Sequence, residues 1–596
     1  MQKLNEIIKN LDGKPVSSYS GLKGIYERNG ITYVISSVKG GQYKYASVDI
    51  KFRRSAFLDG AEYDAEEKIA ACSHILREMS LAACVANNEM QQSESNIQKG
   101  AFVPYRFGTR VLPSSAVKIT EGEVIVAMTV RLPINNTAYN TGVRATELTE
   151  AQSGSILAMT RSAQRESFEK RKKGIISQKA LKLLLTKNLP RLAEELEKSF
   201  DKEELKGAIQ LYKNQQYIRS YLKKQGYVSF IANGSVITRK GKTDYKDLSG
   251  VIPFVAPQSM STVIKLPDGD FICGMGIKKG ITLITGDAYH GKSTILEAIR
   301  EGVYNHAAGD GREYVITDAS AVNVRSEDGR SIRNTDISFF LGKLPTDKIK
   351  PKHFSTDNAS GSTSQASAVA EAIECGSTLM LFDEDRSANN FMYKDEKMRS
   401  VIKNASTVPF IDNARMIYDR FGISSVIVIG ASGEYFRIAD RVILVDTYVC
   451  SDYTDYVKDE HIPCSSFAPA LRTVDIRELA NACFKRNMEI KEGSVIRIGN
   501  EEICVEEIVP YVTEGQLNFI ISFIWFLAVM ERTDGEGLCD GVKRLYGKIR
   551  SNGISLIHQQ GLNGASDIIE YVRYEDMMAI LYRIKSVKFI SRGVSL

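Results

Sequence analysis

Residues 285–294 read TGDAYHGKST, and no other stretch narrows the folding options as far. Gly286, Gly291, Lys292 and Ser293 meet the pattern G-x-x-x-x-G-K-[ST], in which glycines let successive backbone N–H groups turn inward around an anion. Such a loop needs a strand to deliver it and a helix to leave it, because the helix N-terminus adds its partial positive charge. "GITLIT" predicts that strand and "STILEAIREGVY" that helix. Gly286, Asp287, Ala288, Tyr289, His290, Gly291, Lys292, Ser293 and Thr294 are therefore candidate phosphate-binding residues. Lys292 would reach the terminal phosphates and Ser293 would ligate Mg²⁺. His290 has two readings, approach to the phosphates or a solvent-facing loop position, and the second is preferred.

The apolar segments that follow extend this expectation. "REYVITD", "STLMLFDED", "SSVIVIGAS" and "DRVILVD" are short, nearly continuous apolar runs separated by helical stretches, the pattern of a mostly parallel sheet covered on both faces. At 596 residues the chain exceeds one hydrophobic core. Texture divides it into 1–110 (α+β), 111–245 (β-rich, then helical and basic), 246–450 (the phosphate-loop domain) and 451–596 (a further α+β domain). Leu181, Leu184, Leu185, Leu189 and Leu192 recur at helical spacing and predict a packed face, with Pro190 kinking or breaking the segment. "FIISFIWFLAVM" (519–530) is too short for a bilayer core and predicts a buried helix.

A second anchor is "STLMLFDED". An aspartate at a strand's carboxyl end, Asp383, suits a Mg²⁺ shell, and the next carboxylate, Glu384, suits the polarising of an attacking water. Between the two anchors, "NASGSTSQASAVAEAIECG" opens a helix of small residues on a serine-rich cap, either a second anion site or an ordinary capped helix.

The order phosphate loop, small polar cap, acidic strand end resembles the ATP-binding-cassette (ABC) class of ATPases. Ser360, Gly361 and Ser362 occupy the place of that class's signature, and Ser387 lies in "DRSANN", which is similar to its D-loop. "GMGIKKG", "YHGKST", "GVYNHAAGDGREYVITDASAV", "RSEDGR", "ASGSTSQA" and "DEDRSANNFMYKD" together resemble the small family known as predicted ATPases of the ABC class. The likeness covers about 230–450, with a weaker trace in "LDGKPVSSYSGLKGIY" and "FIANGSVITRKGK". It implies an α/β fold: an ABC-type P-loop domain with a mixed, partly parallel sheet, flanked by α+β domains. It also implies ATP and Mg²⁺ as ligands and two composite sites in a homodimer. A trypanosome mitochondrial RNA-editing factor belongs to the same group, which brings in RNA as a partner.

The chain departs from the ABC pattern at chemically important places. No glutamine lies between Lys292 and Ser364, so the Q-loop glutamine is absent, and Glu327, Asp328 and Asp336 are alternatives for its role. Ser432 stands in the loop that carries the class's switch histidine. A neutral serine brings no positive charge to the γ-phosphate, so slow hydrolysis is expected.

What the ATPase acts on is less constrained. A net charge of +6 permits an acidic partner without demanding one. "KFRRSAF" (51–57), "EKRKKG" (169–174) and "YRIKSVKFISR" (582–592) are either phosphate-contacting patches or ordinary solvated faces. Tyr212, Tyr217, Tyr221 and Tyr227 are either base-stacking platforms or, by preference, one packed helix face. Phe254 and Phe271 are candidates for stacking on adenine. Three readings stay open: an ATPase acting on RNA or single strands, a nucleotide-gated dimer with slow hydrolysis, and a regulator of another protein. Nine scattered cysteines without a C-x-x-C pair, a polar N-terminus and no apparent membrane span point to a cytoplasmic protein.

Overall fold

The computed structural model describes all residues except 41–43, 61, 92–99, 106–107, 135–174, 239–251, 343–349, 403–404, 458–471, 485–487, 493, 510, 532–536, 559–567 and 592–596. Contacts gather the chain into two compact units, one built mainly from residues 1–206 and one mainly from 207–596. The basic segment 169–174 lies outside the described residues.

The first unit centres on an antiparallel sheet in which strands 24–28, 31–39, 45–53, 123–131 and 101–103 lie side by side, with 117–119 also on 123–131. Its side chains alternate as the period of two demands. Ala46, Val48, Ile50 and Phe52 face the core, as do Val124, Val126, Met128 and Val130. The helix Ala65–Gln91 is, by length and composition, apolar enough to cross a membrane. It buries Ala71, Ile75, Met79 and Ala83 at helical spacing inside this unit. The leucine-rich segment forms helix Gln178–Lys182, a π turn Leu183–Asn188 and helix Leu189–Ser199, with Pro190 in the first turn of the last. All five predicted leucines are buried. The Leu189 N–H donates to the Leu184 carbonyl, so the π turn runs straight into this helix and Pro190 falls where the ladder changes from π to α.

The second unit is layered on a six-stranded sheet of β1 (Ile281–Thr285), β2 (Val322–Val324), β3 (Leu379–Asp383), β4 (Ser424–Val428), β5 (Arg441–Asp446) and β6 (Val449–Asp452). The spatial order is β2-β3-β4-β1-β5-β6, parallel throughout except for the antiparallel β5–β6 edge. The sheet is thus mixed and mostly parallel, as the apolar runs predict, except that "REYVITD" gives Val315–Thr317 to a separate antiparallel sheet, where it pairs with 227–232. Alternate residues serve opposite layers. Met380 and Phe382 join Ile281, Leu283 and Ile427 on one face, whereas Leu379 and Leu381 join Ile284, Val426 and Val428 on the other. The first face is covered by helix α2 (Gly361–Cys375) through Ala366, Val369 and Ala370, and by helix 410–421. The second is covered by helix α1 (Lys292–Glu301) through Ile295, Leu296 and Ile299. The two helices that open on the candidate motifs therefore leave from opposite sides of one sheet.

An antiparallel four-stranded sheet, ordered 315–317, 227–232, 271–278 and 261–265, also belongs to this unit. Tyr212 is buried, and Tyr221 and Tyr227 pack beside Ile218 and Leu222; Tyr217 alone of the four is exposed. The C-terminal segment is α+β and includes α3 (Leu538–Asn552). The apolar run predicted as a buried helix forms Glu514–Phe526, capped by a Thr513–Gln516 box and continued by a π turn, with Phe519 through Ile524 buried.

Candidate nucleotide site

In a parallel sheet all carboxyl ends share one edge, and there the loops after β1, β3, β4 and β5 converge. The loop after β1 turns on Gly286 (φ 143°), Tyr289 (φ 64°) and Gly291 (φ 101°). A Cβ on Gly286 would collide with the carbonyl oxygen of Val445 in β5, and one on Gly291 with the Tyr448 ring. Glycine is required at both positions by conformation and by space. Tyr289 is almost wholly exposed at 97%. Asp287 and Ala288 sit at the exposed crest, where the Asp287 carboxylate accepts the Ala288 N–H at 2.7 Å. His290 is half-buried: Nδ1 lies 3.1 Å from an Asp446 oxygen, and its carbonyl accepts the Tyr448 N–H.

Lys292 is buried, and its Nζ donates to the Asp287 carbonyl at 2.7 Å. The ammonium is thereby held across the mouth of the loop, where a phosphate oxygen can replace the carbonyl as partner. Ser293 is exposed, Thr294 is half-buried, and the Ser293 hydroxyl lies beside the Asp383 carboxylate. Asp383 ends β3 almost fully buried, and burial raises its carboxyl above the ordinary value against the opposing effects of the Ser293 hydroxyl and the Asp385 N–H. A serine hydroxyl and a buried carboxylate side by side are hard oxygen donors, which fits Mg²⁺.

Glu384 follows directly. Its Oε2 accepts the N–H groups of Gly430 (2.5 Å) and Ala431 (3.1 Å) at the end of β4. A Cβ on Gly430 would stand 3.8 Å from both that oxygen and Lys292 Nζ, so the carboxylate and the ammonium flank one point. Ser432, the predicted replacement for a switch histidine, is buried, and its hydroxyl caps the following turn by accepting from Glu434 N–H at 3.3 Å.

The small polar cap forms a separate cluster. Ser360 is the exposed N-cap of α2, accepting the Thr363 N–H at 3.5 Å. A Cβ on Gly361 would displace the Ser326 hydroxyl, so the glycine lets this side chain approach closely. Ser362 donates to Asn390 in the D-loop-like segment. Ser387 donates to the Asp383 carbonyl at 2.8 Å and accepts from Gln365 Nε2 at 3.0 Å. Among the described residues no hydrogen bond or ion pair joins residues 360–362 to residues 286–294.

Of the three alternatives for the missing glutamine, none is a free acid over the loop. Glu327 pairs with Arg583 at 2.8 Å, Asp336 caps Ser338 N–H at 3.0 Å, and Asp328 is exposed beside Gly361. Phe254 is buried in the core and cannot stack on a ligand; Phe271 is exposed, with Lys265 over its ring. A cleft beside the loop is instead lined by Thr285, Gly286, Asp287, Phe436, Tyr453 and Tyr456. Tyr453 and Tyr456 stand edge to face, with ring centroids 6.3 Å apart. Sequence reasoning missed these two because they follow the sheet's last strand rather than precede the loop. It also missed Gln365, whose amide oxygen accepts the Ala388 N–H at 2.7 Å.

The family model for the P-loop domain of ABC ATPases matches residues 201–465, and the model for the N-terminal domain of ABC-class ATPases matches residues 1–151. An uncharacterized protein of Methanocaldococcus jannaschii is 34% identical over 249 residues, 39% of this chain and 54% of the relative. The match thus spans about half the length of that relative. Among solved structures, the ATP-binding cassette of an ABC transporter in its ADP conformation is 12% identical. It covers 33% of this chain and 91% of its own, with a TM-score of 0.22. With one family model on the nucleotide-binding segment and a second on the N-terminal segment, the chain belongs to the ABC class of P-loop ATPases.

Proposed function

We propose that the chain hydrolyses ATP at two composite sites formed between two copies of itself, and that closing and opening of this dimer act on nucleic acid, RNA or single strands. The carrying observation is the division of the site. Lys292, Ser293, Asp383 and Glu384 converge at one sheet edge, while exposed Ser360 forms a separate helix-capped cluster. A second copy supplies the missing side of each triphosphate.

Backbone N–H groups of 286–292 and the α1 N-terminus would hold the β- and γ-phosphates, with Lys292 released from Asp287. Ser293 and Asp383 would hold Mg²⁺, which when bound neutralises charge on the phosphate oxygens. Glu384 would orient the attacking water and accept its proton, kept in place by Gly430 and Ala431. The N–H groups at Ser360–Ser362 of the other copy would contact the γ-phosphate, so that its loss loosens the pair. Tyr453 and Tyr456 would border the base. Turnover is slow, because capped Ser432 carries no charge. That same observation favours a second reading, a nucleotide-gated dimer or regulator with little hydrolysis and no nucleic-acid role. A cytoplasmic location is part of the proposal.

Steady-state hydrolysis tests the site. Glu384→Gln should retain ATP binding and lose turnover by about two orders of magnitude or more; full turnover would assign the water to another base. The nucleic-acid partner is supported by exposed Arg53, Lys585 and Lys588 within the basic segments. Binding of labelled RNA to the Glu384→Gln protein with ATP should weaken steeply with salt. No binding at low salt would leave the gated dimer as the function.

A further inference from the structure

Helix α2 carries Ser360 at its leading end and Cys375 as its last residue. That trailing end is docked on the C-terminal segment. Glu374 pairs with Arg472, whose Nε lies 3.2 Å away, and accepts the Tyr582 hydroxyl at 3.0 Å. Against the same hydroxyl lie two sulfurs, Cys375 Sγ at 3.6 Å and Cys539 Sγ at 3.5 Å. Cys539 stands in the first turn of α3, half-buried, and also reaches the Glu374 carbonyl at 3.6 Å. The two sulfurs thus meet at one hydroxyl, although 164 positions separate them in the chain. Both are reduced.

We propose that Cys375 and Cys539 form a reversible disulfide under hydroperoxide oxidation, a modification site that staples the end of α2 to α3. The half-buried sulfur reacts first. The Cys539 thiolate attacks one peroxide oxygen; an S–O bond forms, the O–O bond breaks, and hydroxide leaves and is protonated to water. The Cys375 thiolate then attacks the sulfenic sulfur of Cys539. The S–S bond forms, the S–O bond breaks and a second water leaves. The sulfur pair gives up two electrons and the peroxide takes two. A small dithiol reverses the step by exchange.

The surroundings suit this division of labour. The neighbouring Cys375 thiol, aided by Tyr582, outweighs burial and the Glu374 charge and brings the Cys539 thiol down to about 7. The neighbouring Cys539 thiol together with burial pushes the Cys375 thiol up. The attacking sulfur is thus the more acidic and more accessible, and the resolving one is sheltered beside it. The cross-link does not depend on the ATPase reading. Its consequence does: a stapled α2 would be less able to carry Ser360 toward a second copy.

The test is thiol mapping of the full-length protein. After brief hydrogen peroxide treatment, remaining thiols are alkylated and the protein is digested without reductant. The expected result is a peptide pair joining Cys375 to Cys539, lost on adding dithiothreitol, with alkylation lost at both cysteines and kept at exposed Cys84. In Cys375→Ser, dimedone should label Cys539 as a sulfenic acid more strongly than in the wild type. Retained alkylation at both positions, or Cys539 passing to sulfinic acid without a cross-link while Cys375 is present, would overturn the proposal.

Discussion

Glu327 shows how one residue departs from the role its position suggests. It follows β2 and is one of three acids that could stand in for the missing glutamine, yet its side chain is taken by Arg583 and its N–H by the Ser364 hydroxyl. Burial alone would raise its carboxyl; Arg583, then Arg330 and Arg325, outweigh burial and hold it down to about 2. An unfolded carboxylate near 4.5 takes up its proton first, so acid favours unfolding. The pair's contribution is fully present above about pH 4.5 and is lost as pH falls toward 2, with a span of roughly 3 kcal/mol. Denaturant melts of the wild type and Glu327→Gln across pH 3–7 should show a steeper acid loss in the wild type. Parallel curves would show that Arg583 does not hold the charge. Lys292 differs: its present partner is a backbone carbonyl of its own loop, a bond a phosphate can replace.

Among the elements, β3 feeds both layers with four consecutive residues. Leu379 and Leu381 belong to one core and Met380 and Phe382 to the other, and none is exposed. Leu381→Ala should therefore destabilise the second unit by about 2–5 kcal/mol. A chemical-denaturation midpoint unchanged from the wild type would mean that β3 is not central. This strand, β1, β4 and β5 were legible from sequence because burial on two faces writes itself as an uninterrupted apolar run; β2, short and only partly buried, was not. The loop after β1 was legible because its glycines answer to backbone and ring collisions that no other residue avoids. What sequence did not disclose depends on contacts between distant segments. The Gly430 and Ala431 N–H groups that hold Glu384, the Asp446 partner of His290 and the Tyr453–Tyr456 pair are all of that kind. Residues beside a motif in space need have no fixed distance from it in sequence.

For the whole molecule, the issue is whether one copy contains a complete site. The phosphate loop and helix α2 leave opposite faces of the sheet, and among the described residues Ser360 bonds only within its own cap. If ATP is the ligand that joins two copies, self-association must depend on nucleotide and on Ser360 together. Sedimentation velocity of the Glu384→Gln protein, with and without saturating ATP, measures this directly. The account predicts a shift from one-copy to two-copy mass on adding ATP, and no shift in a protein that also carries Ser360→Arg but still binds the nucleotide. A single-copy boundary at every ATP concentration, with nucleotide demonstrably bound, would contradict it.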